Sequence, residues 1–141
     1  MKQQKTLYLI DDDNDDLDFF CEAVSAIDQD IACVRFTNSD KALKAFQSYE
    51  VSSPDLIFLD LNMPLVDGRE FLSRIKALEA YAHVPVIIYT TSSHQRDIEE
   101  TKQLGASAFL SKPYSMSDLI NELGGILQNG FEQVPSGLAT R

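Results

Sequence analysis

Pro54-Asp55-Leu56-Ile57-Phe58-Leu59-Asp60-Leu61-Asn62-Met63-Pro64 is the stretch that decides the fold. Its four unbroken apolar residues, preceded by Pro-Asp and stopped by a carboxylate, fit a strand covered on both faces. Such strands belong to parallel sheets, whose neighbours need crossover helices. Working outward, Leu7-Tyr8-Leu9-Ile10 is a similar run that stops at Asp11, and Ile31 to Phe36 is another, in which Arg35 marks an edge position. Downstream, Val86-Ile87-Ile88-Tyr89 and Ala108-Phe109-Leu110 complete the set. Between the runs the apolar spacing turns helical: Leu17, Phe20, Cys21, Val24 and Ile27; then Leu43, Phe46 and Tyr49 behind a Ser39 or Asp40 cap; then Phe71, Leu72, Ile75 and Leu78. A weak stripe follows from Arg96 to Leu104, closed by Gly105, and a strong one after Ser115 with Leu119, Ile120, Leu123, Ile126 and Leu127. Gly124-Gly125 costs that last helix ~1 kcal/mol per glycine relative to alanine, so its end is expected to fray. Five βα units in succession predict an α/β fold, a five-stranded parallel sheet with helices on both faces.

The chain of 141 residues is the size of one domain. Residues 6–128 are expected to form it. Residues 129–141, polar and carrying Gly130, Pro135 and Gly137, read as a mobile tail, with no output domain. Asp and Glu total 22 against 12 Lys and Arg, a formal net charge of -10. That balance argues against nucleic acid as a direct partner and against docking on an anionic membrane. The apolar run Leu7 to Ile10 is far shorter than the ~20 residues of a membrane span. Cys21 and Cys33 lack metal-ligand spacing and are expected to be buried free thiols in a reducing cytoplasm.

Ligands of an open parallel sheet bind beyond the carboxyl ends of its strands. The first strand delivers Asp11, Asp12 and Asp13 there; the third delivers Asp60 and Asn62; the fourth, Thr90; the fifth, Lys112 and Pro113. Each has a plainer use by itself. Aspartates favour helix starts, Thr90 to Ser93 suits an N-cap, and a lysine before a turn is ordinary surface. Their arrival at equivalent strand ends favours a shared site. Crowded carboxylates repel unless a cation neutralises them, and a small set of hard oxygen ligands suits Mg²⁺. Lys112 adds a point positive charge and Thr90 a hydroxyl donor, parts that suit phosphoryl transfer. Asp60, at the centre of the sheet, is the expected covalent acceptor.

Ile10-Asp11-Asp12, Leu59-Asp60-Leu61-Asn62-Met63-Pro64-Leu65-Val66-Asp67-Gly68, Tyr89-Thr90-Thr91 and Ser111-Lys112-Pro113 resemble the receiver domain of two-component response regulators. The resemblance covers about Thr6 to Gln128 and implies the strand order 2-1-3-4-5. It implies Asp60 as the phosphoacceptor, Asp12 as a direct Mg²⁺ ligand, and Asp11 as its neighbour acting mainly through water. It further implies that Asn62 lends Mg²⁺ a backbone carbonyl, that Thr90 is a switch hydroxyl, and that Lys112 pairs with the phosphoryl group. Phe109 matches an aromatic switch position whose ring turns inward on activation, and Lys112-Pro113 a bond often cis in the family. The implied partners are a histidine kinase or phosphotransfer protein and a downstream protein, with self-association through the face of the fourth helix, fifth strand and fifth helix. The implied role is a cytoplasmic switch that catalyses its own phosphotransfer, not a turnover enzyme. Within the family the chain is similar to the small stand-alone regulators of phytochrome-type kinases. Thr91 stands where a smaller residue is frequent, and the triplet Asp11-Asp12-Asp13 leaves the metal register open by one position.

Three other functions make different demands on the sequence. Haloacid-dehalogenase-type phosphatases also use an aspartyl phosphate but place the nucleophile after the first strand, with a second Asp two residues on; here that position holds Asn62. A flavin binder needs a Ser/Thr/Gly-rich phosphate loop where this chain has aspartates. A constitutive adaptor differs from a switch in binding its partner equally well with and without a phosphoryl mimic.

Overall fold

The computed structural model describes residues 4–128, so the expected tail at residues 129–141 lies outside the described residues. The order of elements is β1 (Thr6–Ile10), α1 (Asn14–Ile27), β2 (Ala32–Phe36), α2 (Ser39–Gln47), β3 (Leu56–Leu59), α3 (Gly68–Lys76), β4 (Val86–Thr90), α4 (Gln95–Gln103), β5 (Ala108–Ser111) and α5 (Met116–Gln128). All five strands pair in parallel in the order β2-β1-β3-β4-β5. Leu56 to Leu59 is fully buried, as its unbroken apolarity requires. Arg35 does lie on an edge strand.

Alternate residues of each inner strand feed two cores. Tyr8, Ile10, Ile57, Leu59, Val86 and Ile88 face α2 and α3. Leu7, Leu9, Leu56, Phe58, Ile87 and Tyr89 face α1 and α5. Each fully buried aliphatic or aromatic side chain contributes roughly 1.5–3 kcal/mol relative to exposure. The aromatic cluster Phe20, Phe58 and Tyr89 locks α1 to the centre of the sheet, with ring centroids 4.7 and 5.1 Å from Phe20.

Some local expectations change. Asn38, not Ser39 or Asp40, caps α2, its Oδ1 accepting from the Lys41 N–H at 2.9 Å. Tyr49 is exposed instead of continuing the buried stripe. The helix has already ended: Tyr49 adopts a left-handed φ of 58°, and the N–H groups of Tyr49 and Glu50 donate to the carbonyls of Phe46 and Ala45. This is a Schellman closure with a tyrosine in the position usually given to glycine. Gly105 closes α4 in the same way at φ 110°. Helix α5 continues through Gly124 and Gly125 to Gln128, with Leu123 and Ile126 on either side buried against the α1 layer.

Candidate functional site

The strand ends converge as expected, and the ladder continues one residue past each. The Asp11 N–H donates to the Phe36 carbonyl, that of Asp60 to the Ile10 carbonyl, and that of Lys112 to the Thr90 carbonyl, at 3.1, 3.0 and 2.7 Å. The backbones carrying the chemical groups are therefore held by sheet hydrogen bonds, not by free loops. Asp11 and Thr90 are 0% exposed, Asp60 6%, and the Lys112 side chain 9%.

Lys112 is the electrostatic centre. Its Nζ lies 2.8 Å from Asp11 Oδ2, 2.7 Å from Asp16 Oδ2 and 3.8 Å from Asp60 Oδ2. It also sits 5.5 Å from the centre of the Tyr89 ring. Burial alone would lower its pKa, but the hydrogen bonds to Asp11 and Asp16 outweigh that and hold the ammonium above its ordinary range. Burial pushes Asp11 up to about 6, against the hydrogen bonds from Lys112 and the Asp13 N–H. Burial raises Asp60 too, opposed first by the Lys112 charge. One cation shared among buried carboxylates leaves a deficit of positive charge. Carboxylate oxygens of Asp11, Asp12 and Asp60 lie within 4.8 Å of one another. This all-oxygen donor set, partly open because Asp12 is exposed, fits a small hard divalent cation such as Mg²⁺.

The Asp11-Asp12-Asp13 register resolves into separate tasks. Asp13 is the N-cap of α1, its Oδ1 accepting from the N–H groups of Asp15 and Asp16, so its carboxylate serves the helix. Asp11 and Asp12 are left facing Asp60. Asn62 is exposed, and its N–H donates to Asp60 Oδ1 at 3.4 Å. Thr90 Oγ1 is near enough to favour the charged form of Asp60, yet among the described residues no group, Asp60 included, meets it at hydrogen-bonding geometry. A buried hydroxyl without a partner costs roughly 1–3 kcal/mol, and it persists where another state supplies the partner.

Phe109 lies inside, 3% exposed and packed in the core on the α2–α3 face. One expectation from the resemblance is corrected. The Lys112-Pro113 peptide is trans, the more stable form of an X–Pro bond by ~0.5–1 kcal/mol. Sequence reading also missed residues that shape the site. Asp16 supplies a second carboxylate to Lys112; its only signal was its place on the first turn of a helix whose start faces the strand ends. Gly68 lets α3 begin against β3: a Cβ there would lie 2.2 Å from the Asp60 carbonyl oxygen. Arg69 of α3 pairs with Asp97 and Glu100 of α4, and Asp97 accepts from Ser92 in the β4–α4 loop. Nothing in the linear sequence signals those contacts.

The chain belongs to the response regulator receiver family: the family model for the response regulator receiver domain matches residues 7–124. Among its relatives is response regulator Rcp1 of Synechocystis sp., 33% identical, with 92% of this chain and 91% of that protein aligned. A structure of the Mn²⁺-bound form of Rcp1 superposes with a TM-score of 0.80 at 28% identity, covering 93% of this chain and 97% of that one. The phosphorylated cyanobacterial phytochrome response regulator RcpA superposes at 0.83 and 27% identity, covering 94% and 98%.

Proposed function

We propose that this chain is a phosphorylation-controlled switch of a two-component system, with Asp60 as the phosphoryl acceptor. The observation that carries the reading is the Asp60 carboxylate itself, 6% exposed, close to Asp11 and Asp12, 3.8 Å from the Lys112 ammonium, and facing the unpartnered Thr90 hydroxyl. The similarity to a Mn²⁺-bound Rcp1 and a phosphorylated RcpA supports it.

Asp11, Asp12 and Asp60, with the Asn62 backbone carbonyl, would hold Mg²⁺. When bound, the ion supplies charge neutralisation for the incoming phosphoryl oxygens. The donor is the phosphohistidine of a kinase or phosphotransfer protein. A carboxylate oxygen of Asp60 attacks phosphorus, its P–O bond forms as the histidine P–N bond breaks, and the imidazole leaves with the electron pair. Lys112 offsets the charge on one phosphoryl oxygen, and Asp11 and Asp16 keep it protonated. Thr90 then gains the hydrogen-bond acceptor it lacks, drawing the β4–α4 loop toward Asp60. Output passes to a partner protein, or to a second copy, through the face of α4, β5 and α5, where Tyr114 is fully exposed beside Pro113. The chain acts in the cytoplasm as a switch and not as a turnover enzyme. Among the described residues no helix is long and apolar enough to cross a membrane.

Incubation with acetyl phosphate and Mg²⁺ tests this by intact mass. The chain is expected to gain one phosphoryl unit, and neither Asp60→Asn nor the wild type in excess chelator should gain it. Equal labelling of Asp60→Asn would overturn the assignment.

A further inference from the structure

Cys21 on α1 and Cys33 on β2 are free thiols, as expected, but only partly buried, and their Sγ atoms lie 2.7 Å apart. The pair is remote from the acidic site: Cys33 stands in register with Leu7, near the amino ends of the strands. Arg35, two residues along β2 and so on the same face, pairs with Asp18, one helical turn before Cys21. The cysteines are thus one rung of a two-rung contact between α1 and the edge strand. A hydrogen bond from the Cys33 thiol, helped by the Arg35 charge, pulls Cys21 down to about 7. The same hydrogen bond and burial push Cys33 up. One sulfur is thereby prepared as a nucleophile and its neighbour as a proton-bearing thiol, the asymmetry that reactive thiol pairs need.

We propose that Cys21 and Cys33 form a reversible dithiol–disulfide couple, oxidised by hydroperoxides, that staples α1 to the exposed edge strand β2. The Cys21 thiolate attacks the distal peroxide oxygen; the O–O bond breaks, Cys21 becomes a sulfenic acid, and the peroxide's other oxygen leaves as water (or as an alcohol) after taking a proton. Cys33 sulfur then attacks Cys21 sulfur, the S–O bond breaks, and the hydroxyl leaves as water with the Cys33 proton. Two thiols lose two electrons and two protons to one peroxide, and a dithiol reductant reverses the change. Closing the bond to about 2.05 Å requires only a small approach of side chains that already converge. The proposal is independent of the phosphoryl-acceptor reading.

The full chain, reduced and then exposed to hydrogen peroxide, tests it by intact mass and thiol counting. A monomer lighter by two hydrogens is expected, with both thiols lost together and both restored by dithiothreitol. Before oxidation, iodoacetamide should modify Cys21 at least about tenfold faster than Cys33 at pH 7. Cys33→Ser should stop at a Cys21 sulfenic acid trapped by dimedone, whereas Cys21→Ser should keep a free Cys33 at the same peroxide dose. The oxidised wild type should melt several degrees higher. Independent oxidation of the two thiols, disulfide-linked dimers, or equal alkylation rates would overturn the couple, and an unchanged melting temperature would overturn the staple. The wild-type measurements decide the matter even where a serine variant folds poorly.

Discussion

The two flanks of the acidic site are built differently. On one flank, α1 buries Leu17, Phe20, Ala23 and Val24 and brings Asp16 to Lys112. On the other, α4 fully buries only Thr101, with Ile98 half-buried, and is tied to α3 by the partly exposed pairs of Arg69 with Asp97 and Glu100. Ion pairs of that exposure are worth ~0–1 kcal/mol each, against roughly 1.5–3 kcal/mol for each buried large apolar side chain of α1. The α1 flank is therefore rigid, and the α4 flank, which follows Thr90 and the β4–α4 loop, is held loosely enough to move for a few kcal/mol. A receiver needs that asymmetry: a fixed acceptor and a displaceable reporter.

The sharpest way to break the contrast is to cut into each flank. Phe20→Ala should destabilise the fold by ~3–5 kcal/mol in denaturant melts, since its ring is fully buried against Phe58 and Tyr89. A cost below 1 kcal/mol would show that the α1 flank is not the rigid one.

The pH dependence of the metal-free chain sharpens the point. Asp11 has its folded pKa raised from 3.8 to about 6, so between those values the folded form holds a proton that the unfolded form has released. Stability from this group is present at acid pH and falls as pH rises through that window, by on the order of 2–3 kcal/mol. Relative to Asp11→Asn, the wild type should lose melting temperature from pH 4 to pH 7 in chelator, and Mg²⁺ should restore it. A constant difference would mean that Asp11 is not strained by burial.

Smaller effects belong to the other flank. Ile98→Ala should cost ~1–2 kcal/mol, below the usual range for a fully buried isoleucine. Arg69→Ala should cost ~1 kcal/mol or less, yet speed amide exchange through α4 and the β4–α4 loop while leaving α1 unchanged. Equal acceleration in both helices would remove the contrast.

The same asymmetry explains what was legible in the sequence. Strands with unbroken apolar runs, and the residues that follow them, are local signals; Asp11, Asp60, Thr90 and Lys112 could be placed at one edge because the pattern of each strand stops there. Asp16 and Arg69 act through distances between elements, which periodicity does not encode. Tyr49 matched the helical spacing and was still excluded, because the backbone had turned left-handed before reaching it. The burial of Phe109 follows from its place in the core, whereas its switch role comes from the resemblance alone. The sulfur contact has no sequence signal for a related reason: the 12-residue separation of Cys21 and Cys33 says nothing until α1 lies against β2.

The assignment of Asp60 is tested most directly by borohydride reduction of the chain after treatment with acetyl phosphate and Mg²⁺, followed by peptide mass analysis. Reduction converts an aspartyl phosphate to homoserine at the modified position. Homoserine at position 60 alone is the expected result; homoserine at another aspartate, or at none while the chain still carries phosphate, would contradict it.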